Sequence, residues 1–245
     1  MFTKNISFKN FLIRKKNLAV KKNLNLILNE KDQVIHSLSK FYKDSFNKKN
    51  IKHFNKKLDY RIIGMGGSTL GAQAIYDFLK IKKKKNFLFV DNLNAFENKK
   101  SKKNFNNLII SKSGNTTETI VNANILIKKK NKNLFLTEKK ESYLSLLAKK
   151  LKAEVVDHND YIGGRYSVLS EVGMLPAELM GLNYKNFRQL NNLVKNKFFM
   201  NALVSNVEAT IFFLKSKKFN SVVVNYDVQS TNLFNWYQQL VAESL

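Results

Sequence analysis

Ile109-Ile110-Ser111-Lys112-Ser113-Gly114-Asn115-Thr116-Thr117-Glu118-Thr119 is the stretch whose reading decides the fold. An apolar run stops at a cluster of hydroxyls around one glycine, and a helical pattern resumes at Ile120, Ala123, Ile125 and Leu126. Strand, polar turn and helix is the geometry that points backbone N–H groups and hydroxyls at an anion. Glycine lets the backbone approach closely, and the helix dipole favours negative charge there. Ser111, Ser113 and Thr116 can each donate a hydrogen bond to a phosphate. An ordinary helix N-cap behind a polar turn accounts for the same residues without a ligand.

A second turn of this kind lies upstream. Arg61-Ile62-Ile63 runs into Gly64-Met65-Gly66-Gly67-Ser68-Thr69-Leu70-Gly71, and Ala72, Ala74, Ile75, Phe78 and Leu79 then form a helical face. No Lys-Ser/Thr pair closes the glycine run, so it is not a Walker motif, and its spacing is not that of the dinucleotide fingerprint. Tight strand–helix packing explains Gly71 by itself, and three glycines together less well. Further apolar runs at 87–90, 108–110, 134–137 and 154–156 alternate with helical patterns such as 143–151. This alternation predicts a parallel sheet covered on both faces, which binds ligands outside the carboxyl ends of its strands. Both turns fall on that edge.

Outside this core, residues 1 to about 46 read as helical, with Leu24, Ile27, Leu28, Val34, Ile35, Leu38, Phe41 and Tyr42 at helical spacing. His36 and His53 read as surface or packing residues. A helix around Leu169, Val172, Leu175 and Leu179 is expected to break near Pro176, and 186–213 is again helical. Ser221-Val222-Val223-Val224-Asn225-Tyr226 reads as a new strand, followed by a helix carrying Leu233, Phe234, Trp236, Tyr237, Leu240 and Val241. In Gly163-Gly164-Arg165-Tyr166-Ser167, flexible backbone precedes an arginine suited to hold a cation against developing oxyanion charge. A structural pairing of Arg165 with Asp157 or Asp160 is the plainer alternative. His158 beside Asp157 imitates a catalytic pair, but sequence neighbours seldom face each other.

Composition narrows the classes. The 245 residues carry a formal charge of +25, with 44% hydrophobic and 12% aromatic content. Nearly all the positive excess is lysine, since the arginines are Arg14, Arg61, Arg165 and Arg188. Bidentate phosphate and base recognition favours arginine, and the lysine runs at 82–85, 128–130 and 139–140 lack it. No nucleic-acid partner is therefore expected. The chain has no cysteine, which excludes disulfides and thiolate chemistry. No run of about 18 apolar residues occurs, so no membrane partner is expected. The opening Met1-Phe2-Thr3-Lys4-Asn5 lacks secretory features, and a cytoplasmic location is expected.

Three separated motifs occur in order: 64–71, 111–119 and 163–167, with Trp236-Tyr237-Gln238-Gln239-Leu240-Val241-Ala242-Glu243-Ser244 at the end. Together they resemble the glucose-6-phosphate isomerase family of the sugar isomerase (SIS) superfamily. The resemblance implies an α/β fold with a SIS-type parallel sheet flanked by helices, an N-terminal helical extension and the start of a second SIS unit. The expected boundaries are 1–50 for the extension, 51–184 for the first SIS domain, and 185–245 for linking helices and an incomplete second domain. It implies interconversion of glucose 6-phosphate and fructose 6-phosphate, with a small-molecule sugar phosphate as partner, no metal or organic cofactor, and a homodimer left open. Ser111, Lys112 (through its backbone), Ser113 and Thr116 are implied to cradle the phosphate, and Gly67, Ser68 and Gly164 to line the sugar. Arg165 is implied to stabilise the enediolate, and Glu118 to be a supporting carboxylate.

The departures from the family pattern concern specificity and the base. Ser113-Gly114 stands where the family usually has Thr-Phe, and is closer to the general superfamily pattern. Glu171 stands where a small residue or proline is expected. The resemblance puts the glutamate base, a ring-opening histidine and a late lysine beyond residue 245, with Glu243 in a structural position of the last helix. The chain is thus expected to be an N-terminal fragment. A non-catalytic SIS-domain regulator that binds sugar phosphates, or another sugar-phosphate isomerase, is the alternative.

Overall fold

The computed structural model describes residues 18–29, 33–49, 51–52, 54, 59–79, 85–93, 104–218 and 220–244. The first seventeen residues, His53 and the lysines at 82–84 lie outside them. In chain order the elements are α1 (Leu18–Asn29), α2 (Gln33–Ser37), β1 (Asp59–Ile63), α3 (Leu70–Phe78), β2 (Asn86–Val90), β3 (Asn106–Ile110), α4 (Thr117–Leu126), β4 (Asn133–Glu138), α5 (Tyr143–Leu151) and β5 (Glu154–His158). These are followed by α6 (Glu171–Leu179), α7 (Leu190–Leu193), α8 (Lys197–Lys215) and α9 (Thr231–Ala242).

The strands form one sheet in the order β2-β1-β3-β4-β5, and every pairing is parallel. The register sets Ile63 beside Ile109, and Ile109 beside Phe135. These three pack with Ala123 of α4 and with Leu144 and Ala148 of α5 to form the core of one face. On the opposite face the ring of Tyr60 stacks on Phe87 at 4.9 Å, and Tyr76 of α3 meets Phe87 and Phe89 at 5.4 and 5.8 Å. With helices on both faces, the central strand β3 buries every residue and its neighbours β1 and β4 bury all but residues at their ends, as expected of a parallel sheet.

Two compact units contain these elements: Lys43–Tyr184 with Asn225–Leu245, which holds the sheet, and Met1–Tyr42 with Lys185–Val224. In the sheet unit α9 packs against α3, and Asn232 donates to Asp77 at 2.6 Å. In the other unit α1 packs on α8, and the Arg188 guanidinium lies 4.8 Å from the Tyr42 ring centre.

Two expectations are corrected. The helix around Pro176 is not interrupted: α6 runs through it from Glu171 to Leu179. Proline removes one hydrogen bond there but supplies a helical φ, and burial of the whole helix outweighs the loss. The strand expected at 221–226 does not form, and the segment runs without a ladder partner among the described residues. Val222 is 83% exposed and Tyr226 96% exposed. A strand is defined by its neighbour, and apolar β-branched content alone provides none.

Candidate active site

The carboxyl ends of β1, β3 and β5 each release a loop toward the same sheet edge. After β3, Ser111 is buried and its Oγ lies 2.9 Å from Thr116 Oγ1. Thr116 is the N-cap of α4 in extended conformation, yet its side chain caps no backbone N–H. The first-turn N–H groups of α4 therefore receive no bond from the N-cap side chain, at the helix end where an anion is favoured. Gly114 turns the chain with φ +68°, and a Cβ there would stand 2.1 Å from Ser142 Oγ. Ser113 is exposed, and its Oγ accepts the Asn115 N–H at 3.2 Å. The Lys112 ammonium turns away from the loop, donating to the Asp160 carbonyl and pairing with Glu138 at 3.5 Å. Lys112 thus presents only backbone to the turn. Burial acts to raise the Glu138 carboxyl, but Lys140 and Lys112 outweigh it and hold the pKa below its ordinary value. Glu118 lies half-buried in the first turn of α4 and forms no ion pair among the described residues.

The glycine turn after β1 adjoins this loop, since a Cβ on Gly64 would meet the Ile110 carbonyl at 2.9 Å. Gly67 touches the third loop: a Cβ there would lie 2.3 Å from the Gly164 carbonyl oxygen. Ser167 bridges the two loops, donating to the carbonyls of Gly164 at 2.7 Å and Gly67 at 3.1 Å. Ser68 is half-buried in a 3-10 turn beside them. Gly71 serves packing, because a Cβ would come within 2.5 Å of Val168 Cγ2.

Arg165 does not pair with Asp157 or Asp160 in this structure. Its Nη1 lies 3.4 Å from Glu243 Oε2, and its guanidinium sits 4.7 Å from the Tyr166 ring centre. Gln239, one helical turn before Glu243, donates to Glu243 Oε1 at 2.9 Å, and Trp236 Nε1 reaches the Arg165 carbonyl at 3.5 Å. The hydroxyl of Tyr166 lies 3.3 Å from Ser244 Oγ. Arg165 Nε and Gln239 Oε1 are buried and have no hydrogen-bond partner among the described residues. The Tyr166 hydroxyl holds the guanidinium pKa above its ordinary value against desolvation, the next largest effect, and Glu243 adds to the rise. Ser244 and Arg165 lower that of Tyr166.

Behind this loop, His158 meets Glu171 rather than Asp157, with Nδ1 2.7 Å from Oε1. Neither side chain is exposed.

A family model described as phosphoglucose isomerase matches residues 12–244. The chain belongs to that family. It is 32% identical over 225 residues to the glucose-6-phosphate isomerase of Acholeplasma laidlawii, covering 79% of this chain and 52% of that protein. It is also 32% identical over 203 residues to the glucose-6-phosphate isomerase of Methanocaldococcus jannaschii, covering 75% and 49%. The chain spans about half the length of the curated relatives it matches. A hypothetical protein of Thermus thermophilus shares the fold, with a TM-score of 0.70 over 93% of this chain and 59% of that one at 18% identity.

In this phosphoglucose isomerase family member, the fold brings Gly67, Gly164 and Arg165 together, and sets Ser111 and Thr116 side by side at the mouth of α4. Sequence reasoning missed Gln239 and assigned Glu243 a structural position. The signal was present: Gln239 and Glu243 are spaced i, i+4 on one helix, which puts both on one face. What no spacing shows is that this face meets Arg165.

Proposed function

We propose that this chain carries an active site for interconverting glucose 6-phosphate and fructose 6-phosphate. The juxtaposition of Arg165 with Glu243 beside the Gly67–Gly164 contact carries this reading. The phosphate sits at the uncapped start of α4, held by Ser111, Ser113, Thr116 and the Lys112 backbone, and Gly67, Ser68 and Gly164 line the sugar. Glu243 is the general base. It removes the proton from C2 of the open-chain aldose as the C1 carbonyl becomes an enediolate oxygen, then returns the proton to C1 while the O2 hydroxyl proton passes to O1, leaving the C2 carbonyl of the ketose. Arg165 lies against the same carboxylate and stabilises the oxyanion while it exists. Gln239 holds Glu243 through one oxygen, with its Nε2 as the donor. Glu118 is a supporting carboxylate at the phosphate end. This replaces the expectation that the base lies beyond residue 245. The ring-opening group is assigned to the half of the relatives' length that this chain does not span.

The protein is proposed to act in the cytoplasm, without a nucleic-acid partner and as a homodimer. Among the described residues no helix is long and apolar enough to cross a membrane.

Deuterium incorporation at C1 of fructose 6-phosphate in D2O, followed by NMR, tests the assignment on the open-chain keto sugar already present in solution, without a ring-opening group. The unaltered chain is expected to exchange, and Glu243→Gln and Arg165→Ala to lose at least ~100-fold. Binding of fructose 6-phosphate without exchange would favour a sugar-phosphate regulator. No binding would sink the cradle.

A further inference from the structure

The loop that carries Arg165 leaves β5 at His158 and enters α6 at Glu171, and those two residues meet in the interior. Their contact is 2.7 Å, and their side chains are 1% and 0% exposed. Glu171 Oε1 also accepts the Asn159 N–H at 3.0 Å. The ionised form of that carboxyl only accepts, and its hydrogen-bond partner on His158 is Nδ1. A carboxylate so deeply buried is costly unless paired and hydrogen-bonded, and apolar residues of similar volume often serve stability as well. Stability alone is a poor reason for this pair. A small residue or proline, the expectation for position 171, would avoid the cost.

We propose that His158 and Glu171 are positioning residues that fix the Arg165 loop at both ends. Between them the loop contains Gly163 and Gly164, and a Cβ at Gly163 would find nothing nearer than Tyr166 at 3.7 Å. Such backbone does not hold an arginine in place by itself. Other contacts reach the middle of the loop rather than its ends: Ser167 Oγ donates to the Gly67 carbonyl at 3.1 Å, Trp236 Nε1 reaches the Arg165 carbonyl at 3.5 Å, and Lys112 holds the Asp160 carbonyl. The His158–Glu171 contact joins the last residue of the strand to the first residue of the helix. It converts an open excursion into a closed one with Arg165 inside it. The assignment rests on the proposed role of Arg165 at the sugar oxyanion. A misplacement of about 1 Å at such a group costs on the order of 100-fold.

The test is calorimetric titration of the full chain with two probes. Inorganic phosphate engages only the cradle, whereas a phosphorylated aldonohydroxamate adds a planar, enediolate-like oxyanion. The unaltered chain is expected to prefer the hydroxamate by at least ~100-fold. His158→Gln and Glu171→Gln are expected to lose at least ~10-fold of that preference while binding phosphate within about twofold of the parent. The joint replacement H158L/E171L removes the buried polar cost and is expected to melt at or above the parent temperature without regaining the preference. If the unaltered chain shows no preference, the reading of Arg165 falls. If it does but the single variants bind as the parent does, only the clamp falls. Restored preference in the joint variant, or failure of both single variants to fold, would make the pair a packing element and overturn the proposal.

Discussion

Gly114 shows how much of the site depends on the absence of one methyl group. Its φ of +68° lies in the left-handed region, and a Cβ would press on Ser142 Oγ at 2.1 Å and Thr137 Oγ1 at 2.9 Å. Ser142 is the buried N-cap of α5, so it cannot swing away freely. Gly114→Ala is expected to cost about 2 to 4 kcal/mol in urea unfolding, from backbone strain and overpacking together. Gly67 is constrained differently, by close approach without positive φ. Its neighbour at 2.3 Å is the Gly164 backbone, so Gly67→Ala must push the Arg165 loop outward. The expected outcome is a folded protein, destabilised by about 1 to 3 kcal/mol, that binds phosphate but no longer distinguishes a sugar phosphate from phosphate in calorimetry.

At the level of elements, α6 and β1 give two measurable consequences. Ser170 caps α6 by accepting the Val172 N–H at 3.3 Å and also donates to the Ser167 carbonyl. Ser170→Ala is expected to lower stability by about 1 to 2 kcal/mol in thermal or urea melts. In β1, burial pushes the Tyr60 phenol from 10.0 up to about 12. The folded state then keeps its proton where the unfolded chain has lost it. The stabilisation from the neutral buried phenol is complete below pH 10 and disappears as pH rises from 10 to 12. Phenolate absorbance should show Tyr60 ionising with alkaline unfolding, and Tyr60→Phe should remove that part of the pH dependence.

For the molecule as a whole, charge is the dominant feature. Forty-three basic residues against eighteen acidic ones leave +25, carried almost entirely by lysine. Self-repulsion of this size destabilises a compact state and is screened over about 10 Å at 0.1 M salt. The melting temperature is therefore expected to rise as sodium chloride increases from about 0.01 to 0.2 M. Phosphate should raise it further at equal ionic strength, because it occupies the start of α4 as well as screening. Equal shifts from the two salts would remove the cradle from this account.

The five strands, their order of appearance and the two glycine turns were legible in the sequence because a parallel sheet buried on both faces leaves continuous apolar runs, and because a turn that tolerates no Cβ must be written in glycine. The hydroxyls at 111–116 were legible for the same local reason. The tertiary structure decided what lay beyond a few residues' reach. Arg165 meets Glu243 across 78 positions, and His158 ignores its neighbour Asp157 for Glu171. The valines at 222–224 have strand composition without a strand. In each case the residue type was visible but the partner was not. Local sterics determine a turn or a helix, whereas an ion pair or a strand pairing depends on where packing brings distant segments together.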